Sequence, residues 1–420
     1  MEHIAATDPK EMKYIRKRKR QAFRESLCFY ACRIFQVRRN LISVCTFEGK
    51  GGFGCNPKPL VEELHRQNPQ LRFVWFVNDM TKEFPDYIRK VPNTLWSRAY
   101  WLSRSKVWID NYRKPYGTKK RKGQYYLNVN HYTIGIKCTG LWRGEGFSPM
   151  AYLVSKNDSD MIDDLVIDSK WCEEVSPKGL VYEGAYQNTG APRCDVLYGD
   201  RSDAKSRFRK KHHIPEDAKV VLFAPTFREG AKDGKRFVFS EIWTIDFQRL
   251  LDNLQKKFGG TWYLCVRVHP QLAPTFQEYK NAEIQDRIID ESQADDMYEI
   301  LAGMDAYISD YSSACFEAGF AHIPVFLYAD DIQKYAKDRG ALMWNIATDP
   351  SNNKIMTPNF DVKLPFTLAS DNEELEKDIM EFNKAKYDKV LNEFHEKVGL
   401  VFNGRASENL ANKINQIVGL

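Results

Sequence analysis

Short apolar runs alternate with stretches of helical periodicity along most of this chain, and that alternation limits the fold more than any other feature. The first series places strands at 41–47, 72–77, 106–110, 125–130 and 165–168, with a Gly-rich turn (Gly49, Gly51, Gly52, Gly54) and a helix near 59–67 after the first. Strands separated by helical crossovers pair in parallel, and a parallel sheet is covered on both faces. After a turn-rich stretch at 190–203 a second series begins, with strands at 220–224, 262–268, 306–309 and 324–328 and helices at 243–258, 297–304 and 313–321. Two such halves predict an α/β protein of two Rossmann-like domains facing a cleft. The 420 residues, 43% hydrophobic, are enough for two cores. The expected division is 1–40, 41–200, 201–395 and 396–420, the last helical and able to cap either domain. The Gly49–Gly54 turn does not match GxGxxG, which gives a dinucleotide cofactor little support.

Residues 1–40 carry 11 Lys/Arg against 4 Asp/Glu, so the net +6 belongs to this segment and the remaining 380 residues come to about −1. The folded body therefore carries no overall basic face of the kind nucleic acid requires. Within 10–39 the pattern predicts one helix: Lys13, Arg16, Lys17, Arg18, Lys19, Arg20 and Arg24 lie early, and Phe23, Leu27, Tyr30, Ala31, Ile34 and Phe35 form an apolar stripe. A basic block beside such a stripe suits a helix lying in an anionic membrane surface. The alternatives are a helix that packs its stripe on the domain, or a nucleic-acid contact. No run approaches the ~20 apolar residues of a spanning helix, and no secretory signal is expected. Nine scattered cysteines without a CxxC pair argue for a reducing cytoplasm rather than zinc or disulfides.

Ligands of open α/β sheets bind at the carboxyl ends of strands. Three such junctions stand out in the second half. Residues 306–309 run into Asp310-Tyr311-Ser312-Ser313 before a helix, where two hydroxyls and unpaired N–H groups form an anion site. Glu317, one turn on, can accept from ribose hydroxyls; a plain helix cap is the alternative. Strand 262–268 ends at His269-Pro270, with Arg267 on the same face. Strand 220–224 ends at Pro225-Thr226-Phe227-Arg228, where Thr226 and Arg228 suit phosphate oxygens. In the first half, 125–130 runs into Asn130-His131-Tyr132-Thr133, with Lys137 beyond. His131 is a candidate general base. No DxD-like pair sits at a convincing strand end, so phosphate handling without a metal is expected, with no cofactor.

Together these segments resemble the CDP-glycerol glycerophosphotransferase family of teichoic acid and capsular polymer synthesis. The resemblance rests on Phe47-Glu48-Gly49-Lys50, Asn56-Pro57-Lys58, Phe73-Val74-Trp75, Trp108-Ile109-Asp110-Asn111, the run from Thr189 to Asp195, and Ala224 to Arg228. It continues through Arg267-Val268-His269-Pro270, Ser309 to Ser313, Tyr328 to Asp331, Tyr335 and Arg339-Gly340. It implies a GT-B-type fold with the acceptor on the first domain, the nucleotide on the second, and a peripheral position on the cytoplasmic face of the membrane. It implies that Ser312 and Ser313 hold the donor phosphates, Glu317 the ribose, and His269 and Arg228 the pyrophosphate. Asp310, Thr226, Arg267, Lys137 and Arg339 complete the candidate substrate-binding set. His131 would deprotonate an acceptor hydroxyl that attacks the β-phosphorus of CDP-glycerol and expels CMP. The acceptor would be a lipid-linked saccharide or a glycerol-phosphate polymer. The family's Trp-His-Gly-Thr-Pro-Leu-Lys reads here Asn130-His131-Tyr132-Thr133-Ile134-Gly135-Ile136-Lys137. A CDP-ribitol or nucleotide-sugar transferase, or a non-catalytic membrane-tethered binding protein, stays open, as does homo-oligomerisation.

Overall fold

The computed structural model describes residues 8–131, 134–226, 228–232, 235–239, 244–268, 284–339, 342–347, 353 and 355–419, with backbone alone at 229–232, 235–239 and 339. The chain forms two compact units. One comprises residues 1–133, 139–195 and 400–420; the other takes 134–138 and 196–399.

The first unit holds seven parallel strands in the order β3-β2-β1-β4-β5-β6-β7: β1 (Arg38–Cys45), β2 (Arg72–Val77), β3 (Ile88–Pro92), β4 (Ser105–Asp110), β5 (Tyr125–Asn128), β6 (Asp164–Ile167) and β7 (Ala185–Asn188). Strand alternation sorts the apolar residues onto two cores. Ile42, Val44, Phe73, Trp75 and Val77 meet Leu60, Val61 and Leu64 of helix Pro57–Gln67 and Leu410, Ala411 and Ile414 of helix Ala406–Val418. On the other face Leu41, Cys45, Val74, Phe76 and Trp108 pack with Phe29, Ala99 and Leu102. Each large apolar side chain buried in this way contributes about 1.5–3 kcal/mol. The helix Ala406–Val418 thus belongs to the first unit, although the chain has already built the second.

The second unit holds six parallel strands in the order β12-β11-β8-β13-β14-β15: β8 (Lys219–Phe223), β11 (Trp262–Val266), β12 (Ile288–Asp290), β13 (Ala306–Ser309), β14 (Val325–Tyr328) and β15 (Thr367–Ala369). An antiparallel hairpin, β9 (Arg228–Lys232) and β10 (Lys235–Phe239), follows β8. Val221, Phe223, Leu264, Val266 and Ile308 pack with Leu250, Leu251 and Leu254 of helix Phe247–Phe258.

Several elements differ from the sequence expectation. The N-terminal helix ends at Ala31, and Arg38 and Arg39 already belong to β1. Its docking face is Ile15, Ala22, Ser26 and Phe29, whereas the stripe read from the sequence faces outward: Phe23 is 66% exposed, Leu27 50% and Ile34 82%. Residues 372–398 form two helices, Asn372–Glu381 and Lys384–Val398, the second capped by the Asn383 side chain. Edge strands β3 and β7 lack the apolar run of a central strand, and β3 ends in a proline, as edge strands do. Among the described residues no helix is long and apolar enough to cross a membrane, and none of the cysteines forms a disulfide.

Candidate functional site

In each sheet the chain builds outward on one side of its first strand and then returns to build on the other, which leaves a switch point where strand ends diverge. In the second unit it lies between β8 and β13. There Asp310, fully buried, accepts from the Thr226 N–H (2.8 Å) and from Arg228 Nη1 (2.8 Å). Arg228 turns the rest of its fork onto Asp331, with Nε to Oδ2 at 2.6 Å and Nη2 to Oδ1 at 2.8 Å, and Nη1 also donates to the Thr226 carbonyl at 2.6 Å. Tyr311 donates to Asp331 at 2.9 Å and stacks on Tyr335 at 3.9 Å, both rings lying beside the guanidinium. Burial alone would lower the Arg228 pKa, but Asp331 and Asp310 more than reverse it. Burial likewise pushes Asp331 up, and its bonds to Arg228 hold it below the usual carboxylate range.

Arg228 therefore spends four of its five N–H donors on two carboxylates and a carbonyl. The sequence suggested a phosphate grip; the structure gives this guanidinium the work of tying the ends of β8, β13 and β14 together. Asp310, which accepts from Thr226 and Arg228, shapes the same loops. What these loops present is different. Thr226 Oγ1 is buried and has no hydrogen-bond partner among the described residues. Ser312 and Ser313 stand half-exposed at the start of helix Ala314–Phe320, and the Ser313 side chain makes no capping bond. At the end of β11, Arg267 donates through Nη2 to the Ala294 carbonyl at 3.0 Å, while its buried Nε has no partner among the described residues. Buried donors left without partners are rare in folded proteins and mark places where a ligand or water completes the set. Glu317 is fully buried on the same short helix and accepts from the Tyr298 hydroxyl. His269, and the side chain of Arg339, lie outside the described residues.

The switch point of the first unit lies between β1 and β4. Beyond β1 the backbone enters the left-handed region at Phe47 (φ 47°), Glu48 (φ 57°) and Gly49 (φ 80°). A Cβ on Gly49 would come within 2.6 Å of Asn93 Nδ2, so glycine is required there for space as well as for φ. Such strain persists only where neighbours hold it. Here Asn111 Oδ1 accepts the Phe47 N–H at 2.9 Å, and Asn93 Nδ2 donates to the Glu48 carbonyl at 2.6 Å. Asn111 is also the partner of His131: its carbonyl lies 2.8 Å from Nδ1. A carbonyl only accepts, so Nδ1 carries a proton, and in the neutral ring the lone pair sits on Nε2. The ring rests against Phe47 and Tyr112, at 5.5 and 5.3 Å between centroids. Its backbone is clamped as well. Arg193 Nη1 donates to the His131 carbonyl at 2.6 Å, and Asn56 Nδ2 donates to the carbonyls of Val129 (2.7 Å) and Asn130 (3.0 Å).

Beneath Asn111, Asp110 and Lys114 form a buried ion pair at 2.6 Å. Asp158 accepts from the Lys114 N–H at 2.9 Å and from the Tyr126 hydroxyl at 3.2 Å. Burial lifts the Asp158 pKa to about 7. Lys137 lies in the second unit, in an isolated antiparallel bridge with Leu342. Among the described residues no group of three or more His, Cys, Asp or Glu is placed to hold a metal ion.

The residues that sequence reasoning left without a role are Asp331, Asn111, Asn56, Arg193 and Tyr298. All but Tyr298 stand inside motifs that carried the family resemblance. Their signal was present, but a hydrogen bond spanning 62 to 103 positions has no local signature.

The profile of the family described as CDP-glycerol:poly(glycerophosphate) glycerophosphotransferase matches residues 27–416. The teichoic acid poly(glycerol phosphate) polymerase of Staphylococcus epidermidis is 26% identical over 384 residues, covering 88% of this chain and 50% of that protein. The teichoic acid glycerol-phosphate transferase of Staphylococcus aureus is 27% identical over 322 residues, 73% of this chain and 78% of that one. Among solved structures, the wall teichoic acid polymerase TagF superposes with a TM-score of 0.76 at 24% identity, covering 99% of both chains. That likeness shows the fold, two Rossmann-like α/β domains of GT-B type. The chain spans about half the length of the first curated relatives it matches.

Proposed function

The chain belongs to the CDP-glycerol:poly(glycerophosphate) glycerophosphotransferase family, and from that premise we propose that it transfers glycerol phosphate from CDP-glycerol to an acceptor hydroxyl, releasing CMP. The observation that carries this reading is the extent of the family match, which takes in both sheets and both switch points.

In the second unit, the hydroxyls of Ser312 and Ser313, the orphaned Thr226 Oγ1 and Arg267 offer donors to the diphosphate. Arg228, Asp310 and Asp331 hold those loops in shape, and Glu317 stands one turn behind for the ribose. In the first unit His131 Nε2 takes the proton of the acceptor hydroxyl. That oxygen forms a bond to the β-phosphorus, the bond from this phosphorus to the bridging oxygen breaks, and CMP leaves with the electron pair. Phosphoryl transfer of this kind asks mainly for positioning and charge stabilisation. The clamps on His131 supply the first, and the donors at β8 and β13 the second. The reading needs no metal or cofactor: side chains and backbone dipoles handle the phosphates.

The acceptor class is a lipid-linked saccharide or a glycerol-phosphate polymer, reached from a peripheral position on the membrane. Supporting that position, outward-facing Phe23, Leu27 and Tyr30 follow exposed Lys13, Arg16, Lys17, Lys19 and Arg20 on one helix, with exposed Ile34 in the turn beyond its end. Incubation with CDP-glycerol, CDP-ribitol and UDP-sugars in turn, with and without EDTA, tests the reading through the nucleotide released. CMP from CDP-glycerol in both conditions is the expected result.

A further inference from the structure

The opposite end of the first unit's sheet carries a second concave site. A pocket of about 480 Å³ is lined by Arg39, Lys106 and Lys122, with Val37, Ile417 and Val418 as its apolar wall. Arg39 stands at the start of β1, Lys106 at the start of β4, and Lys122 shortly before β5. All three therefore lie at the amino ends of parallel strands, away from the carboxyl ends that bear His131.

None of the three cations has a carboxylate partner among the described residues; the one bond formed is from Lys106 Nζ to the Gly123 carbonyl at 2.6 Å. Three like charges around one concavity repel each other and focus a positive potential inside it. The volume suits a small ligand, the guanidinium matches phosphate oxygens in pairs, and the apolar wall fits a carbon backbone. The neighbouring loop adds direction. Two residues before Lys122, the Lys120 carbonyl accepts from Arg33 at 3.3 Å, and Arg121 Nη1 donates to the Phe35 carbonyl at 2.6 Å. Those contacts tie the loop before Lys122 to Arg33 and Phe35, which flank Ile34, the most exposed member of the outward stripe.

We propose that this pocket binds a phosphate ester carried on glycerol, as presented by the head group of an anionic phospholipid whose chains lie along the stripe. The site is independent of the transfer reaction and stands or falls separately from it. The carbonyl end of helix Ala406–Val418 also faces these cations, and complementing that helix end is the competing role.

Two measurements on the full chain decide the matter. In the first, Lys106 and Lys122 are acylated with an amine-reactive reagent, with and without glycerol 1-phosphate, and the products are read by mass spectrometry. In the second, Arg39→Gln/Lys122→Gln is compared with the charge-matched Lys13→Gln/Lys17→Gln for co-sedimentation with phosphatidylglycerol and phosphatidylcholine vesicles. The proposal expects glycerol 1-phosphate to protect Lys106 and Lys122 but not Lys13. It also expects the pocket variant to bind phosphatidylglycerol at least about tenfold more weakly than its control. Protection with equal vesicle binding supports the site and assigns it a soluble glycerol phosphate instead of a lipid. Absence of protection with equal loss in both variants overturns the proposal, since a diffuse field then explains the binding. Absence of protection with a lowered Tm in the pocket variant also overturns it, in favour of the helix-end role.

Discussion

The role proposed for His131 needs a lone pair on Nε2, and the Asn111 carbonyl selects that tautomer by accepting from Nδ1. Replacing His131 with Ala is expected to slow CMP release by roughly 10²–10⁴-fold with little change in Tm; an unaltered rate would remove the residue from the chemistry. Arg228 has a different kind of importance. Arg228→Ala strands two buried carboxylates, Asp310 and Asp331. Urea unfolding should then register a loss of about 3–5 kcal/mol, which Arg228→Lys recovers only in part because an ammonium cannot make the paired contact. Asp158 makes a prediction in pH. Burial raises its pKa from 3.8 to about 7, so between those values the folded chain keeps a proton that the unfolded chain gives up. Its stabilising contribution is full below the lower value and drains away as pH rises toward the upper one. Asp158→Asn should flatten the fall in stability across that window; an identical slope in both proteins would assign the proton elsewhere.

Elements differ in how far local sequence determines them. Strand β2 is apolar at every position but its first, and β13 is buried throughout, so each reads directly as a central parallel strand. The hairpin of β9 and β10 and the edge strands β3 and β7 carry no such run, because a strand with one neighbour does not have to be apolar on both faces. The N-terminal helix shows the same limit. Periodicity located both an apolar stripe and a helix, but it could not say which face docks, since Ile15, Ala22, Ser26 and Phe29 form a second face as regular as the first. Phe23→Ser with Leu27→Ser tests that assignment: the pair should reduce sedimentation with anionic vesicles severalfold and leave Tm within about 1–2 °C, as surface changes do. A large fall in Tm instead would mean that the stripe is packed.

At the scale of the molecule, the tandem of two parallel sheets was legible from alternation alone, and the motifs fell at strand ends as ligand sites in such sheets do. The roles within the motifs were not legible. Arg228 and Asp310 read from sequence as ligand contacts, yet in three dimensions they bind each other; the unpartnered groups are Thr226 Oγ1 and Arg267 Nε. Which of two polar residues faces a ligand depends on partners brought from elsewhere in the chain, and only the fold supplies those. The central claim is the transfer of glycerol phosphate, and it is tested most directly by identifying the nucleotide released when the chain is given each donor with a lipid-linked acceptor. CMP from CDP-glycerol is the expected result, with loss of that release in His131→Ala. UDP from a UDP-sugar, or no CMP from CDP-glycerol with any lipid-linked acceptor, would contradict it.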